Sequence, residues 1–341
     1  MKIGIAVAGP WDFFHEIYDE LRTHHETTLF KRRWLRPPFF YERINNYIFN
    51  KDLKSLLSQH DVVFFEWASD LLVSATQLPK TCGIVTRLHR YEMYQWVDHV
   101  NWENVDKIIL VSDAKRNEFI QKFPAYQDKA VTVTGAISLE KFTFQPKPYR
   151  GDIGTLCHLS PRKRVYELIL DFYEVIQKNK NFHLHIGGDP QPEYQDYSVS
   201  MQDLVTRLNL EDHVTFYGPV TNTQDWFHDI DIFVSNSYSE GLQVALMEAM
   251  ASGCYCFSHN WAGVEEQLPP ENLFYSGNEL QNKILEFAKC PEGEKSKLKA
   301  QMRDVVEKRN NVDLSKKQIR ALVEQTGTNW SKNNRKRSLS I

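Results

Sequence analysis

Two glutamates, Glu240 and Glu248, stand in the otherwise apolar segment "SYSEGLQVALMEAMASG", residues 237–253. An ionised carboxylate costs free energy to bury unless a partner replaces the water it loses. Each of these glutamates therefore predicts a bound cation or a hydrogen-bond donor. If residues 243–252 are helical, the side chains three and four positions from Glu248 share its face. They are mostly small: Val244, Ala245, Ala251 and Ser252. A ligand can approach such a face closely.

The start of this predicted helix is suited to an anion. Gly241 follows Glu240 just before the helix, and free backbone N–H groups and the positive end of the helix dipole favour negative charge there. Glu248 lies roughly 12 Å further along the axis, at 1.5 Å per residue. A nucleotide-sugar needs this series of contacts, for its sugar hydroxyls, diphosphate and ribose hydroxyls. An ordinary helix with one ion-paired core glutamate explains the spacing equally well.

Short apolar runs alternate with longer helical patterns along the chain. In the first half, strand patterns cover residues 2–9, 61–68, 82–89, 107–112 and 131–135, and helical patterns cover 42–59 and 113–122. A proline-bearing linker follows near 145–151. In the second half, strand patterns cover 152–159, 182–188, 214–218, 231–237 and 254–259, and helical patterns cover 163–178, 199–209, 240–252 and 293–309.

This repeated alternation predicts an α/β protein with two doubly wound, Rossmann-like domains facing each other across a cleft. Near-continuous apolar strands between helices are typical of parallel sheets covered on both faces, and ligands of such sheets bind beyond the carboxyl ends of the strands. We expect an N-terminal, acceptor-side domain over residues 1–148, a C-terminal nucleotide-sugar-binding domain over 149–325, and a basic polar tail over 326–341.

The composition limits the function classes. The 341 residues are enough for two domains, and a net charge of −3 gives no case for nucleic-acid binding. No apolar run reaches the about 18 residues that a membrane span needs. The N-terminal "MKIGIAVAGPWDFF" enters a strand pattern directly, so we interpret it as mature structure rather than a signal peptide. Five scattered cysteines favour reduced core thiols in a cytoplasmic protein over a metal site.

One segment departs from the strand–helix alternation. "LFKRRWLRPPFFYERI", residues 29–44, mixes cations with aromatic side chains. Such a mixture is able to dock on an anionic membrane surface. A solvated basic loop before a helix is the alternative. Residues 31–41 are therefore a candidate for peripheral contact with the inner face of a membrane.

The glutamate motif resembles that of the family-4 glycosyltransferases of the GT-B fold, in which a glutamate is followed after seven residues by a second one in an "EAMA"-type helix. The resemblance continues in order along the chain. It is carried by "TRLHRYE", "GAISLEKF", "CHLSPRKRVYELI", "DIFVSNSYSEG", "EGLQVALMEAMASG" and "NWAGVEEQL". The resemblance covers the second half throughout and the first half more loosely.

By position, the resemblance implies these roles. Glu248 accepts hydrogen bonds from the ribose hydroxyls of a nucleotide-sugar. Glu240 contacts the donor sugar or supports the loop beneath it, with Gly241 beside it at the start of the helix. Lys163 binds the diphosphate and stabilises its departure, and the adjacent Arg162 shares that task. Glu240 and Lys163 are thereby candidate catalytic residues.

The resemblance also places His89, as a third candidate catalytic residue, where donor sugar and acceptor meet, and Gly9 where acceptor or phosphate approaches the backbone. Five positions depart from the family pattern, and Ala262 and Glu265 are two of them, where the family has a glycine and a proline. His158 stands where the family has arginine, Leu242 where it has an aromatic residue, and Gln243 where it has a second glycine. Gln243 is expected to project near the sugar and to affect the choice of donor.

The implied reaction is metal-independent transfer with retention at the anomeric carbon. Negative charge builds on the leaving diphosphate, and cations with a helix N-terminus stabilise it. "DID" at residues 229–231 mimics a metal motif but precedes a strand, so we expect no metal there and no cofactor other than the donor as co-substrate.

We therefore expect a hexosyltransferase that uses a UDP- or GDP-sugar and a glycan, glycolipid or other hydroxyl acceptor. Two alternatives remain. One is a sugar-nucleotide epimerase of the same fold, and the other is a catalytically degenerate GT-B binding or scaffold protein.

Overall fold

The computed structural model describes residues 1–11, 14–36 and 39–338, with side chains as far as residue 332. The chain forms two compact units. Unit 1 comprises Met1–Thr134 and Asp313–Ile341, and unit 2 comprises Gly135–Val312. No helix in the described part of the chain is long and apolar enough to cross a membrane.

Unit 1 is built on a parallel six-stranded sheet. Its strands are β1 (Lys2–Val7), β2 (Glu26–Leu29), β3 (Val62–Glu66), β4 (Gly83–Leu88), β5 (Lys107–Leu110) and β6 (Ala130–Thr132). Their spatial order is β2-β1-β3-β4-β5-β6. The order reverses between β1 and β3, which pair in register with Val7 opposite Glu66. Ligands of doubly wound sheets bind at such a switch point.

Helices cover both faces of this sheet because its central strands are apolar on both sides. Every residue of β3, "VVFFE", is buried. The helices are α1 (His15–His24), α2 (Tyr41–Gln59), α3 (Asp70–Thr76), α4 (Arg90–Gln95) and α5 (Asp113–Lys122). Strand β2, "ETTL", lies at the edge and has no fully buried residue, so its polar sequence does not stand out as a strand pattern.

Unit 2 has a second parallel sheet. Its strands are β7 (Asp152–Leu156), β8 (His183–Gly187), β9 (Val214–Gly218), β10 (Ile232–Ser235), β11 (Tyr255–His259) and β12 (Leu273–Phe274). The order β12-β11-β10-β7-β8-β9 is that of a Rossmann sheet. Its switch point lies between β7 and β10, so the loops after these two strands emerge side by side.

Six helices flank the second sheet: α6 (Val165–Lys178), α7 (Gln195–Arg207), α8 (Thr223–Asp229), α9 (Val244–Ser252), α10 (Gly277–Lys289) and α11 (Glu292–Arg309). Residues that precede the predicted linker at 145–151 already pack on unit 2. Ile137 bridges Asn311, and Phe142 joins the core. The chain therefore divides at residues 134/135 rather than at 148/149.

The last helix, α12 (Val312–Ser338), returns to unit 1. Ile319 and Val323 are fully buried against apolar residues of the first sheet, including Ile3 and Val62. This packing places residues 313–325, which the sequence pattern grouped with the C-terminal domain, in unit 1. The predicted tail over 326–341 is helical as far as Ser338, and residues 339–341 lie outside the described part.

Asp231, the second aspartate of the "DID" pattern, anchors the entry into unit 2. Its buried carboxylate pairs with Lys299 at 2.9 Å and accepts the backbone N–H groups of Arg150 at 2.8 Å and Gly151 at 3.0 Å. Asp229 instead forms an exposed ion pair with Arg150. The two aspartates thus have different structural environments, and Asp231 is used internally.

We predict that Asp231→Ala lowers the free energy of unfolding by about 3–5 kcal/mol, because it leaves the charge of Lys299 buried without compensation. Asp229→Ala is the matched control from the same motif and should cost less than about 1 kcal/mol, since exposed pairs contribute little. Urea denaturation of both variants measures this. Equal losses, or a melting temperature of the parent that depends on divalent cations, would contradict the internal role.

Candidate functional site

The switch point of unit 2 brings together most of the residues predicted to bind a donor. The loop after β7 carries His158, Arg162 and Lys163, and the loop after β10 carries Glu240. Because β7 and β10 are hydrogen-bonded neighbours, residues about 80 positions apart in sequence, such as Lys163 and Glu240, come into contact.

Glu240 holds both cations. Its Oε1 lies 2.5 Å from Lys163 Nζ and its Oε2 2.7 Å from Arg162 Nη1. Burial of Glu240 works to raise the pKa of its carboxyl, but the charges of Lys163 and Arg162 outweigh burial, and the net pKa is lowered. The carboxylate therefore stays ionised near neutral pH and keeps both cations in fixed positions.

Backbone contacts tie the two loops together. Arg162 Nη1 donates to the carbonyl of Ser239 at 2.7 Å, and the Tyr238 N–H donates to the carbonyl of Arg162 at 3.2 Å. The side-chain amide of Asn236 donates to the carbonyl of Arg164, whose backbone is left-handed with φ 51°. The cations thus sit on a turn that is braced from the neighbouring strand.

A third loop packs closely on the first. Gly188, after β8, has φ 121°, and a Cβ built there would lie 1.8 Å from the carbonyl oxygen of Cys157. A side chain at this position therefore cannot be accommodated without moving the loop after β7. Burial raises the pKa of the Cys157 thiol to about 11, which leaves this cysteine protonated beside the site.

Helix α9 begins at Val244, after Gln243, without a side-chain cap. Gln243 is turned into unit 2: its side-chain oxygen accepts from the Ser235 hydroxyl, and Gln267 bonds both its backbone N–H and its carbonyl. This inward orientation differs from the predicted projection towards a sugar, because the amide satisfies buried polar groups. The uncapped first turn retains the character of an anion site.

The two residues before Gln243 are also packed inward. Gly241 is buried. Leu242 covers Gly135, where a Cβ would lie 2.5 Å from a methyl carbon of Leu242. Leu242, which stands where the family has an aromatic residue, thus packs against Gly135 in the segment that enters unit 2.

Glu248 projects from the small-residue side of α9, as the spacing predicted, while Leu246 and Met250 are fully buried. Burial raises the pKa of its carboxyl to about 7, and the charge of Lys141 acts in the opposite direction. Within the described part of the chain, the Glu248 carboxylate forms no hydrogen bond or ion pair, and Lys141 acts on it only through its charge. Its requirement for a partner is unmet within unit 2.

His158 is exposed on the loop after β7. It follows the strand at the carboxyl edge where Arg162 and Lys163 also lie. In unit 2, the predicted donor residues are therefore near one edge of the sheet, but only Glu240, Arg162 and Lys163 contact one another directly.

In unit 1, Gly9 lies at the switch point between β1 and β3, and an indole occupies the space beside it. A Cβ on Gly9 would lie 2.6–2.8 Å from three ring atoms of Trp67. Trp67 follows β3 with a left-handed φ of 75° and stacks on His89 at 4.2 Å. The absence of a side chain at Gly9 thus accommodates Trp67, whereas the sequence suggested approach of a ligand.

Buried charge lies beneath this aromatic stack. Glu66 Oε1 accepts from Arg87 Nη2 at 2.7 Å and lies 2.9 Å from His89 Nε2. His89 and Glu92 form a capping box at the start of α4, in which the ring accepts the Glu92 backbone N–H. Both ring nitrogens of His89 are therefore engaged, and the ring links β3, β4 and α4. This geometry favours a positioning role for His89 over proton transfer.

Glu66, Trp67 and Gln267 are site residues that the sequence motifs did not predict. A signal for the first two was present: "EWA" places a charge and an indole directly after the apolar run "VVFF", where the carboxyl end of a buried strand is expected. Gln267 stands in the segment "NWAGVEEQL", but no local pattern indicated its contact with Gln243, because that contact joins distant loops. Within the described residues, no group of three or more His, Cys, Asp or Glu side chains is arranged to hold a metal ion.

Residues 150–289 match the family model described as "Glycosyl transferases group 1", which confirms the resemblance seen in the glutamate motif. The chain is 23% identical over 243 residues to mannosylfructose-phosphate synthase of Agrobacterium fabrum, covering 68% of this chain and 46% of that protein. It is 24% identical over 203 residues to alpha-monoglucosyldiacylglycerol synthase of Streptococcus pneumoniae, covering 54% and 44%. The chain spans less than half the length of these relatives.

Solved structures confirm the predicted GT-B fold class. Anabaena Alr3699/HepE, solved in complex with UDP and glucose, superposes with a TM-score of 0.75 at 16% identity, over 95% of this chain and 99% of that one. Sucrose-phosphate synthase of Thermosynechococcus elongatus gives a TM-score of 0.73 at 14% identity, over 95% and 98%. At these identities the similarity establishes the fold.

We predict that titration of Glu248 lowers the free energy of unfolding of the ligand-free protein as the pH rises from 4.5 to about 7. Its pKa is raised from 4.5 to about 7 in the folded chain, so the unfolded chain releases the proton first over this range. Glu248→Gln should remove this pH dependence. The free energy of unfolding of the variant should therefore rise relative to that of the parent between pH 4.5 and 7. Urea denaturation at several pH values measures the trend. Glu174→Gln, at an exposed position, is the control, and an identical trend in both variants would refute the assignment.

We predict that His89→Ala lowers the free energy of unfolding by about 2–4 kcal/mol, through loss of the cap and of a hydrogen bond to a charged group. His89→Asn should recover about 1 kcal/mol, because asparagine also accepts N–H groups at a helix start. Equal losses for the two variants in urea denaturation would show that capping of α4 is not what His89 provides.

Proposed function

We propose that this chain, whose residues 150–289 form a group 1 glycosyltransferase domain, moves a hexose-type sugar from a UDP- or GDP-sugar to a hydroxyl of a glycan, glycolipid or other acceptor. The observation that carries the proposal is the clamp of Arg162 and Lys163 by Glu240. This cluster of Glu240, Arg162 and Lys163 lies at the switch point of unit 2. Glu240 is close in sequence to helix α9, which has no side-chain cap and carries the unpaired Glu248.

In this proposal the diphosphate binds Arg162, Lys163 and the N-terminal turn of α9, with His158 at the exposed side of the same edge. The ribose hydroxyls donate to Glu248, which supplies the partner that its carboxylate lacks. Donation to the ionised form would lower the raised pKa of Glu248. Donor binding near pH 7 should therefore release a proton.

Glu240 acts in this proposal mainly as the support of the cations, since both of its oxygens are engaged. The C–O bond between the anomeric carbon and the diphosphate breaks with negative charge building on the phosphate oxygens. Lys163 and Arg162, held before the donor arrives, stabilise that charge without reorganisation. The acceptor hydroxyl then bonds to the anomeric carbon, and its proton passes to the departing phosphate on the same face.

Retention and metal independence are parts of the proposal. The two cations and the helix N-terminus supply positive charge at the position that a divalent ion would serve. The structure of HepE is a complex with UDP and glucose, which supports UDP as the donor nucleotide. We also propose a cytoplasmic setting, which fits the five unpaired cysteines.

Unit 1 is proposed to bind the acceptor at its own switch point. There His89, Trp67 and Gly9 form a packed aromatic edge, held by the buried Glu66. His89 then serves as a positioning residue, because the stack and the capping box fix the end of β4.

One observation favours a second candidate, a catalytically degenerate binding protein. His158 replaces the arginine of the family pattern and is exposed, so the charge on the diphosphate depends on fewer fixed cations. This candidate predicts binding of a nucleotide without turnover. An epimerase of the same fold predicts an epimeric sugar-nucleotide formed in the absence of acceptor.

We predict that Lys163→Ala and Glu248→Ala each weaken binding of the preferred nucleotide-sugar by about tenfold to 100-fold, because each removes hydrogen bonds to a charged group. A thermal-shift panel of UDP, GDP, ADP and their common sugars identifies that ligand, and calorimetry measures the change. Lys180→Ala and Glu174→Ala, at exposed positions, are the matched controls and should bind normally.

Unchanged affinity in both site variants would refute the site. Turnover is followed by NMR of the product formed with an alcohol acceptor. A glycoside with the anomeric configuration of the donor supports retention, inverted product contradicts it, and binding with no product favours the degenerate protein.

A further inference from the structure

An exposed aromatic surface lies at the start of α2 in unit 1. We call it the α2 surface and define it by Trp34, Leu35, Phe39, Phe40, Arg43 and Tyr47. Phe39 and Phe40 are each 74% exposed, Tyr47 69% and Trp34 56%. Six of the fifteen large hydrophobic side chains exposed in the described part of the chain lie between residues 34 and 47. Scattered exposure is ordinary, but clustering of this kind marks an interaction site.

The backbone that presents these side chains is held in place. The buried Asn45 accepts the Leu35 N–H at 2.8 Å and donates to the Leu35 carbonyl at 3.0 Å. Arg32 lies between the rings of Trp34 and Phe49, 4.4 Å from each centroid. The side chains that point outwards therefore do so on a supported segment.

Phe40 occupies a conformation that a bulky side chain rarely adopts. It caps α2 with φ 56° and ψ 34°, in the left-handed region. Phe40, Arg43, Ile44 and Tyr47 line an open groove of about 460 Å³. Backbone strain of this kind concentrates at functional sites, so the exposed ring of Phe40 indicates a binding surface.

Charge is concentrated around the α2 surface. Residues 31–54 contain seven Lys and Arg but two acidic residues, while the whole chain carries a net charge of −3. Arg32 and Arg33 pair with Asp70 and Asp52. Arg36 and Arg43 are exposed, and neither forms an ion pair with a described residue. Apolar rings among such cations are complementary to an interface of acyl chains and anionic headgroups.

We propose that the α2 surface docks on an anionic phospholipid membrane, with Phe39, Phe40 and Tyr47 in the interfacial region and Arg36 and Arg43 at the headgroups. The surface extends the segment 31–41, of which residues 37 and 38 lie outside the described part, onto the first turns of α2. Membrane binding of this kind does not depend on the sugar-transfer reaction.

The α2 surface lies on the same edge of the first sheet as the residues proposed to bind the acceptor. It follows the carboxyl end of β2, as Gly9 follows β1 and His89 follows β4, so all three belong to the same edge of the first sheet. A bilayer at the α2 surface would lie beside the proposed acceptor edge of unit 1. A lipid-linked acceptor is therefore the class that this arrangement fits.

Co-sedimentation of the full chain with phosphatidylcholine vesicles, with and without phosphatidylglycerol, tests the proposal. The parent should bind the anionic vesicles and be released by salt. Phe39→Ser combined with Phe40→Ser, and Arg43→Glu alone, should each weaken that binding by about tenfold or more. Tyr47→Ser should weaken it, whereas Tyr275→Ser, with the same 69% exposure in unit 2, should not. Arg207→Glu is the charge control.

Equal recovery with neutral and anionic vesicles, or equal binding by all variants, would overturn the proposal. Self-association of the parent that Phe39→Ser abolishes, without vesicle binding, would overturn it in favour of a second copy of the chain. Melting temperatures and donor affinities of the variants should match the parent, because these side chains contribute little to the core. Loss of vesicle binding with normal donor affinity separates this surface from the proposed function.

Discussion

The contact of one carboxylate with two cations organises unit 2. Glu240 neutralises part of the charge on Arg162 and Lys163 and fixes both between neighbouring loops. The buried carboxylate of Glu240 itself needs these partners, because a buried charge must be paired. The parallel strands β7 and β10 supply the geometry, since the loops that follow them leave the sheet side by side at its switch point.

The same principle operates in unit 1 with different chemistry. The buried Glu66 binds Arg87 and His89 across the ends of β3 and β4, and the indole of Trp67 closes the space beside Gly9. Unit 2 presents cations and an unpaired carboxylate at its edge, whereas unit 1 presents stacked rings. This contrast fits the proposal that unit 2 binds the charged donor and unit 1 a less charged acceptor.

Three carboxylates of unit 2 differ in environment: Asp231 and Glu240 are buried, and Glu248 is half-buried. Asp231 is fully compensated by Lys299 and backbone N–H groups and serves stability. Glu240 is compensated by Arg162 and Lys163, which are proposed to bind the diphosphate of the donor. Glu248 is uncompensated, and its pKa is raised to about 7. A group left in that condition is more readily explained by a ligand than by folding.

The sequence by itself determined the two parallel sheets, ten of their twelve strands and the helix that carries Glu248, because apolar periodicity and chain connectivity are local properties. Helix 113–122 was predicted at both ends. The edge strands β2 and β12 were missed, β2 because its residues are not buried and β12 because it is only two residues long. Only the tertiary structure decided the division of the chain, since Ile319 and Val323 pack on distant strands. Tertiary packing also turned Gln243 inward and filled the space at Gly9 with Trp67. Such contacts join residues far apart in sequence, and no local pattern records them.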